Sequence, residues 1–334
     1  TTEIYTLSLH DALPIYPIDN MVWTVGRFSA SFNKSDDFEP DEYLTDYYTN
    51  NAIKVIEENK NRPFFLYLGH WAIHNPLQSL KRDYDLHSHS GNHTLSVYSG
   101  MIEALDRSVG KIVKTLEENG LSDNTLIIFT SDNGGAGYIE LPDINKPYRG
   151  WKLTHFEGGM HVPFLAKWPS QIKKGTRFLS PIHHIDIFHT IAAAAGASVP
   201  KDRKLDGVDL IPYIQGENKE KPHKTLFWRE GHHQSVLHKG WKLIKADRPD
   251  KRWLFNLAND PTARNNLSTA NPTNDPTRVL SCTRVDLGFR RLILLPPSLS
   301  PPPSPFPLLS PLLLSPPPLS PPSLPSPLLP PFFS

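Results

Sequence analysis

The stretch Val97–Gly135, VYSGMIEALDRSVGKIVKTLEENGLSDNTLIIFTSDNGG, decides the fold because it sets two periodicities back to back. Tyr98, Met101, Ile102, Leu105, Val109, Ile112, Val113 and Leu116 recur at helical spacing, and Gly120 supplies a C-terminal stop. A turn follows, then the short continuous apolar run Leu126–Phe129, the form of a strand buried on both faces. The run breaks abruptly into Ser131-Asp132-Asn133-Gly134-Gly135, so a carboxylate and an amide stand side by side where a strand ends.

The same alternation continues outward. Toward the N-terminus, TDYYTNNAIKVIEENKNRPFFLYLGHW reads as a helix with Ala52, Ile53, Val55 and Ile56 on one side, then a strand over Phe64–Leu68 after Pro63. Toward the C-terminus come a long polar loop, a strand in VPFLAKW, and the helix IDIFHTIAAAAG with Gly196 as its stop. Strands alternating with helices predict an α/β fold, a mainly parallel sheet with helices on both faces. Lys224–Leu257 reads differently, as short strands joined by tight turns, and predicts a small antiparallel C-terminal subdomain.

The ends of the 334-residue chain differ from its middle. The opening TTEIYTLSLHDALPI is the codon-by-codon translation of a widely used sequencing-adapter oligonucleotide, so residues 1–15 are expected to be an artefact outside fold reasoning. From Leu294 onward every residue is Leu, Pro, Ser or Phe, the four encoded by all-pyrimidine codons, and half of the chain's 34 prolines lie there. Such a tail cannot build a packed helix or a membrane span, and disorder is expected from about residue 294. The expected organisation is therefore a partial α/β domain over 16–215, a small subdomain over 216–270, and a tail over 271–334. Thirty-five Lys and Arg balance 34 Asp and Glu, a net charge of +1 that favours neither nucleic acid nor an acidic surface. The single cysteine, Cys282, excludes an internal disulfide framework and a Cys-rich zinc site.

Four residues could do chemistry together. Asp132 and Asn133 offer hard oxygen ligands of the kind Ca2+ or Mg2+ selects, although Asp-Asn-Gly-Gly is equally good turn chemistry. Lys152, in YRGWK, lies on a loop that should return to the same sheet edge, where it could neutralise an anion. His74, in HWAIHNPLQ, ends a predicted strand before Asn-Pro and could act as a general acid. Ligands of open α/β sheets bind at such strand ends. Glu157-Gly158-Gly159 reads as a structural turn. His183, His184, Asp186 and His189 are dense, as are His232 and His233, but neither group has the paired-histidine spacing of a zinc protease helix.

Taken together, RPFFLYLGHWAIHNPLQ, the Tyr98–Gly135 stretch, KPYRGWKLTHFEGGMHVPFLAKWPS, HIDIFHTIAAAAG and LDGVDLIPYIQGE resemble the middle and later parts of a formylglycine-dependent sulfatase of the alkaline phosphatase superfamily, arylsulfatase-like, over roughly residues 16 to 268. WLFNLANDPTARNNL is similar to that family's C-terminal subdomain. The resemblance implies that Asp132 and Asn133 are two ligands of an active-site Ca2+, that Lys152 contacts the sulfate, and that His74 binds it or protonates the departing alcohol. It also implies a sulfated small molecule or carbohydrate as substrate and an extracytoplasmic location, periplasmic, secreted or lysosomal. The Cys-or-Ser-x-Pro-x-Arg motif from which the family makes its formylglycine nucleophile is absent here, as are the early Asp-Asp metal ligands. The chain therefore reads as a C-terminal fragment, expected to be inactive alone. Ile73, His161 and His189 depart from the residues common in the family. A phosphate or phosphonate ester hydrolase of the same superfamily is the enzymatic alternative, disfavoured because such relatives commonly place histidine after the metal Asp. A non-catalytic chimeric fragment is the other.

Overall fold

The computed structural model describes residue 40 and residues 42–268. The expectations for residues 1–15, the tail and Cys282 lie outside the described residues. Helix α1 (Leu44–Asn59) buries Leu44, Thr45, Tyr48, Thr49, Ala52, Ile56 and Asn59, a stripe at three- and four-residue spacing. A short helix, α2 (Lys81–Asp85), precedes α3 (His93–Glu118). Asn92 caps α3 by accepting the Leu95 N–H at 3.0 Å. At its other end Gly120 adopts φ +69°, and the N–H groups of Leu121 and Gly120 donate to the carbonyls of Leu116 (2.8 Å) and Glu117 (3.0 Å). That pair of bonds is a Schellman stop, so the expected terminator acts by its left-handed backbone.

The buried side of α3 is built differently from its apolar spacing. Tyr98, Met101 and Leu116 are buried as expected, but Ile102 is 43% exposed, while Ala104 and Ser108 are buried. Small residues allow α1 close: Thr49 Oγ1 donates to Ser108 Oγ at 2.6 Å, and Ser108 Oγ lies 3.0 Å from His70 Nε2. Arg107 of α3 clamps the buried Asp83 of α2 with two bonds of 2.7 and 2.8 Å. Leu77, Val97, Tyr98, Met101, Ile139 and Leu141 form one core cluster here.

Strand β1 (Ile127–Thr130) falls on the expected apolar run, and after the four-residue helix α4 (Glu157–Met160) β2 (Phe164–Lys167) falls within VPFLAKW. Their pairing corrects the expectation of a mainly parallel sheet. β1 and β2 run antiparallel, Ile127 opposite Lys167 and Thr130 opposite Phe164. All strand pairs among the described residues are antiparallel, and the strand expected over Phe64–Leu68 does not form among them. The physical reason is that an apolar run reports burial, whereas direction depends on which strand becomes its neighbour. The long loop between β1 and β2 leaves either direction open. Cover on both faces is also not seen for this pair, since Leu165 is 60% exposed.

Helices α5 (Ile185–Ala194) and α6 (Ile211–Gln215) lead into an antiparallel meander, β3 (Thr225–Glu230), β4 (His233–His238), β5 (Trp241–Asp247) and β6 (Asp250–Asn256), paired in that order. Lys239 and Gly240 between β4 and β5 both have positive φ, 50° and 83°, which matches a two-residue hairpin to the strand twist. The meander is apolar on both faces. Phe227, Val236, Leu243 and Leu254 pack with Leu267 on one, and Ile244, Phe255 and Trp253 pack with Phe156 on the other. That second face carries the loop on which the candidate site is built. No helix among the described residues is long and apolar enough to cross a membrane.

Candidate functional site

Three backbone segments cross directly behind Asp132 and Asn133. The Gly134 N–H donates to the Gly159 carbonyl (3.0 Å), the Gly158 N–H to Arg149 (2.7 Å), and the Lys152 N–H to Gly135 (3.1 Å). Asn145 locks the crossing through its side chain, accepting from the Gly135 N–H at 2.8 Å and donating to the Gly135 carbonyl at 2.9 Å. A Cβ at Gly134 would fall 1.8 Å from the Gly158 oxygen, and one at Gly158 2.3 Å from the Gly150 oxygen. These glycines serve close backbone approach. The Glu157-Gly158-Gly159 segment, expected to be a turn, is thus the first part of α4, wedged between the strand end and the lysine loop.

This crossing brings three of the expected site residues to one place. Asn133 and Lys152 line a cleft of about 270 Å³ together with Leu153, His155, Trp228 and Glu230. Lys152 Nζ lies 3.1 Å from His74 Nε2, a contact between residues 78 apart in sequence. His74 Nδ1 lies 2.7 Å from the Asn75 carbonyl, which can only accept, so Nδ1 carries the proton and Nε2 accepts from the lysine ammonium. The indole of Trp71 packs on the imidazole at 4.7 Å between ring centroids.

Asp132 is exposed, one carboxylate oxygen accepting the Asn133 N–H at 2.9 Å. The Asn133 amide nitrogen donates to the Gly134 carbonyl at 3.0 Å, and its side-chain oxygen accepts no hydrogen bond among the described residues. A carboxylate and an amide oxygen are the right chemistry for Ca2+, which requires six or more oxygens. Among the described residues no cluster of three or more His, Cys, Asp or Glu side chains completes such a sphere. The two residues fit as part of a site.

Beside the cleft lies an ion pair between residues 85 apart in the sequence. Lys242 of β5 is 2% exposed and pairs with Glu157, whose other oxygen faces His161 Nδ1 at 3.2 Å. Burial pushes the Glu157 carboxyl up, but the His161 hydrogen bond and the Lys242 charge outweigh it and hold the group below its ordinary range. Burial pulls Lys242 down, against the opposing pull of Glu157. His155, buried beside them, is pushed down to about 4 by burial first and then by His233 and Lys242. It is a neutral wall of the cleft. An apolar residue followed by an isolated Lys in a strand pattern, as in GWKLI, was the available signal for a buried cation.

The histidine-rich stretch has a structural occupation. Asp186, fully buried, accepts from the N–H groups of His183 (2.8 Å) and Val208 (3.0 Å) and from His223 Nε2 (2.8 Å), tying α5 to the chain that follows it. His183 stacks toward Trp228 at 5.5 Å and His233 toward His155 at 5.8 Å.

Residues 14–197 match the family model described as Sulfatase, and residues 150–282 match that described as N-sulphoglucosamine sulphohydrolase, C-terminal. The chain is 36% identical over 189 residues to "Uncharacterized sulfatase YdeN" of Escherichia coli (strain K12), covering 56% of this chain and 33% of that protein. It is 37% identical over 191 residues to steryl-sulfatase of Homo sapiens, covering 55% and 32%. It spans about a third of the length of these curated relatives. Among solved structures, Ps i-CgsB in complex with k-i-k-neocarrahexaose superposes with a TM-score of 0.68 at 32% identity, covering 76% of this chain and 57% of that one.

Proposed function

The chain belongs to the sulfatase family, and from that premise we propose that it carries the sulfate-binding and leaving-group half of a sulfuric ester hydrolase. The observation that carries this reading is the 3.1 Å contact of Lys152 Nζ with His74 Nε2 beside Asn133. An ammonium with further N–H donors is suited to sulfuryl oxygens, on which negative charge accumulates as the ester breaks. A bound sulfate oxygen competes with His74 Nε2 for the same ammonium. Once Lys152 turns to the sulfate, Nε2 is open to a proton from solvent, and that proton can pass to the alcohol oxygen as the S–O bond to it cleaves. Asn75 and Trp71 hold the ring in place for that transfer.

Asp132 and Asn133 would hold Ca2+, which when bound supplies positive charge at the sulfuryl oxygens. The Cys-or-Ser-x-Pro-x-Arg motif that supplies the family's formylglycine nucleophile is absent from the sequence. The chain as it stands is therefore a binder of sulfate esters without turnover. The sulfatase reading is favoured over a phosphoester hydrolase by Asn133, which adds an amide where a histidine would supply nitrogen. A sulfated carbohydrate is the favoured ligand class, supported by the oligosaccharide named with the solved relative, and family membership supports a location outside the cytoplasm.

The test is equilibrium binding of phenyl sulfate to the full chain in the presence of Ca2+. Replacing Lys152 by Ala should weaken binding about tenfold, as expected for loss of a charge-assisted contact. His74→Ala should weaken it less. Unchanged binding in Lys152→Ala, or tighter binding of phenyl phosphate than of phenyl sulfate, would refute the site. Turnover above a blank would refute the inert reading alone.

A further inference from the structure

The strand wall of the cleft has a chemistry of its own. In β3, side chains alternate between the two faces of the meander. Cross-strand register groups Trp228 with Ser235, Ile244 and Trp253, and Glu230 with His233, Ala246 and Lys251. That face is the one turned to the lysine loop, since Trp253 packs on Phe156, His233 lies against His155, and Lys242 reaches Glu157. Arg229, the neighbour between them, belongs to the opposite face. Of the two charged residues of β3 that line the cleft, Glu230 is the one on the face turned to the lysine loop.

Glu230 is exposed, and among the described residues its carboxylate has neither an ion pair nor a side-chain hydrogen bond. Across the cleft stand Lys152 and Leu153, the latter 59% exposed and held at φ +73°. A leucine in left-handed backbone, presented to solvent beside the sulfate-binding lysine, is the kind of strain found where a side chain is displayed for use. The cleft thus has a cationic loop wall, an apolar side chain next to it, and an unpaired carboxylate on the strand wall. A carboxylate accepts hydrogen bonds and donates none, so it recognises hydroxyl groups and repels a second anion.

Resting on the sulfate-site reading above, we propose that Glu230 determines which alcohol the ester carries: a hydroxyl-rich ring bearing a single sulfate, with its hydroxyls on Glu230 and its apolar face on Leu153. This excludes both a purely apolar alcohol and a ring with a second sulfate near the strand wall.

The experiment titrates phenyl sulfate, a galactose monosulfate and a galactose disulfate into the full chain with Ca2+, followed by nuclear magnetic resonance. The wild-type chain should prefer the monosulfate to both others. Glu230→Gln should weaken the monosulfate about tenfold, the loss of a hydrogen bond to a charged group, and leave phenyl sulfate unchanged. Glu230→Lys should reverse the preference between monosulfate and disulfate. Equal effects of Glu230→Gln on monosulfate and phenyl sulfate, or an unreversed preference in Glu230→Lys, would overturn the proposal. If Lys152→Ala still weakens phenyl sulfate, only this inference falls; if it does not, the sulfate site and this inference fall together.

Discussion

Replacing Lys242 by Ala should be among the most destabilising single changes in the chain, and its cost can be worked from the surroundings. The lysine side chain is 2% exposed and that of Glu157 11% exposed, so removing the ammonium leaves a carboxylate away from water with only the His161 contact. Breaking one partner of a buried pair costs about 3–5 kcal/mol. For a folded region of this size that corresponds to a drop of roughly 6–20 °C in Tm. Replacing both partners, Glu157→Gln with Lys242→Met, removes the stranded charge and should recover most of the loss, giving a strongly non-additive cycle. The sign with pH follows. The pair holds the Glu157 carboxyl below its ordinary value of 4.5, so its stabilisation is present above that pH and lost as pH falls through the lower, folded value. Urea denaturation followed by circular dichroism at pH 7 and at pH 4 measures the wild-type chain, Lys242→Ala, the singles Glu157→Gln and Lys242→Met, and their double variant. A Lys242→Ala cost below about 1 kcal/mol at pH 7, or a double variant as unstable as the two singles combined, would refute the assignment of a charged buried pair.

Other consequences can be checked on the same chain. Leu153→Gly should stabilise by about 1 kcal/mol in denaturant titration, because glycine relieves the left-handed strain at φ +73° and little packing is lost. Gly134→Ala should disrupt the backbone crossing and abolish phenyl sulfate binding, since its Cβ meets the Gly158 oxygen at 1.8 Å. His70 and His155 are both pushed down to about 4 by burial. The unfolded chain binds those protons first, so stability should fall as pH drops from about 6.5 toward 4. His70→Gln or His155→Gln should flatten that dependence by one proton each. Asp186→Asn should lower Tm, because one oxygen that accepts from Val208 N–H and His223 becomes a donor or loses its charge.

Much of this molecule was legible because local signals and tertiary contacts agree. The 3.6-residue spacing and Gly120 placed α3, whose stop is the left-handed glycine, and the apolar runs placed β1 and β2. The tight-turn reading of Lys224–Leu257 met a four-stranded meander. Pairing direction was not legible. Nor was the small-residue stripe of Ala104 and Ser108, because apolar spacing marks the volume a helix could bury and not which neighbour comes close enough to bury it.

The same distinction explains the site. His74, Asn133 and Lys152 each had an ordinary explanation alone, a strand-end histidine, a turn and a loop lysine. What joins them is a crossing of three segments at Gly134, Gly150 and Gly158, where the absence of side chains is the structural feature. Sequence reading weighs residues by what their side chains can do, so it assigned Gly158 and Gly159 to a turn and passed over the contact they permit. Glu157 completes the logic: it fixes α4 to the meander through Lys242, and the meander in turn places Glu230 on the far wall of the cleft. The lysine loop is therefore positioned from two sides, by backbone approach at the strand end and by a buried charge pair beneath. Geometry around Lys152 should consequently respond to Lys242 substitutions that touch no ligand, with weakened phenyl sulfate binding even under conditions where the variant remains folded.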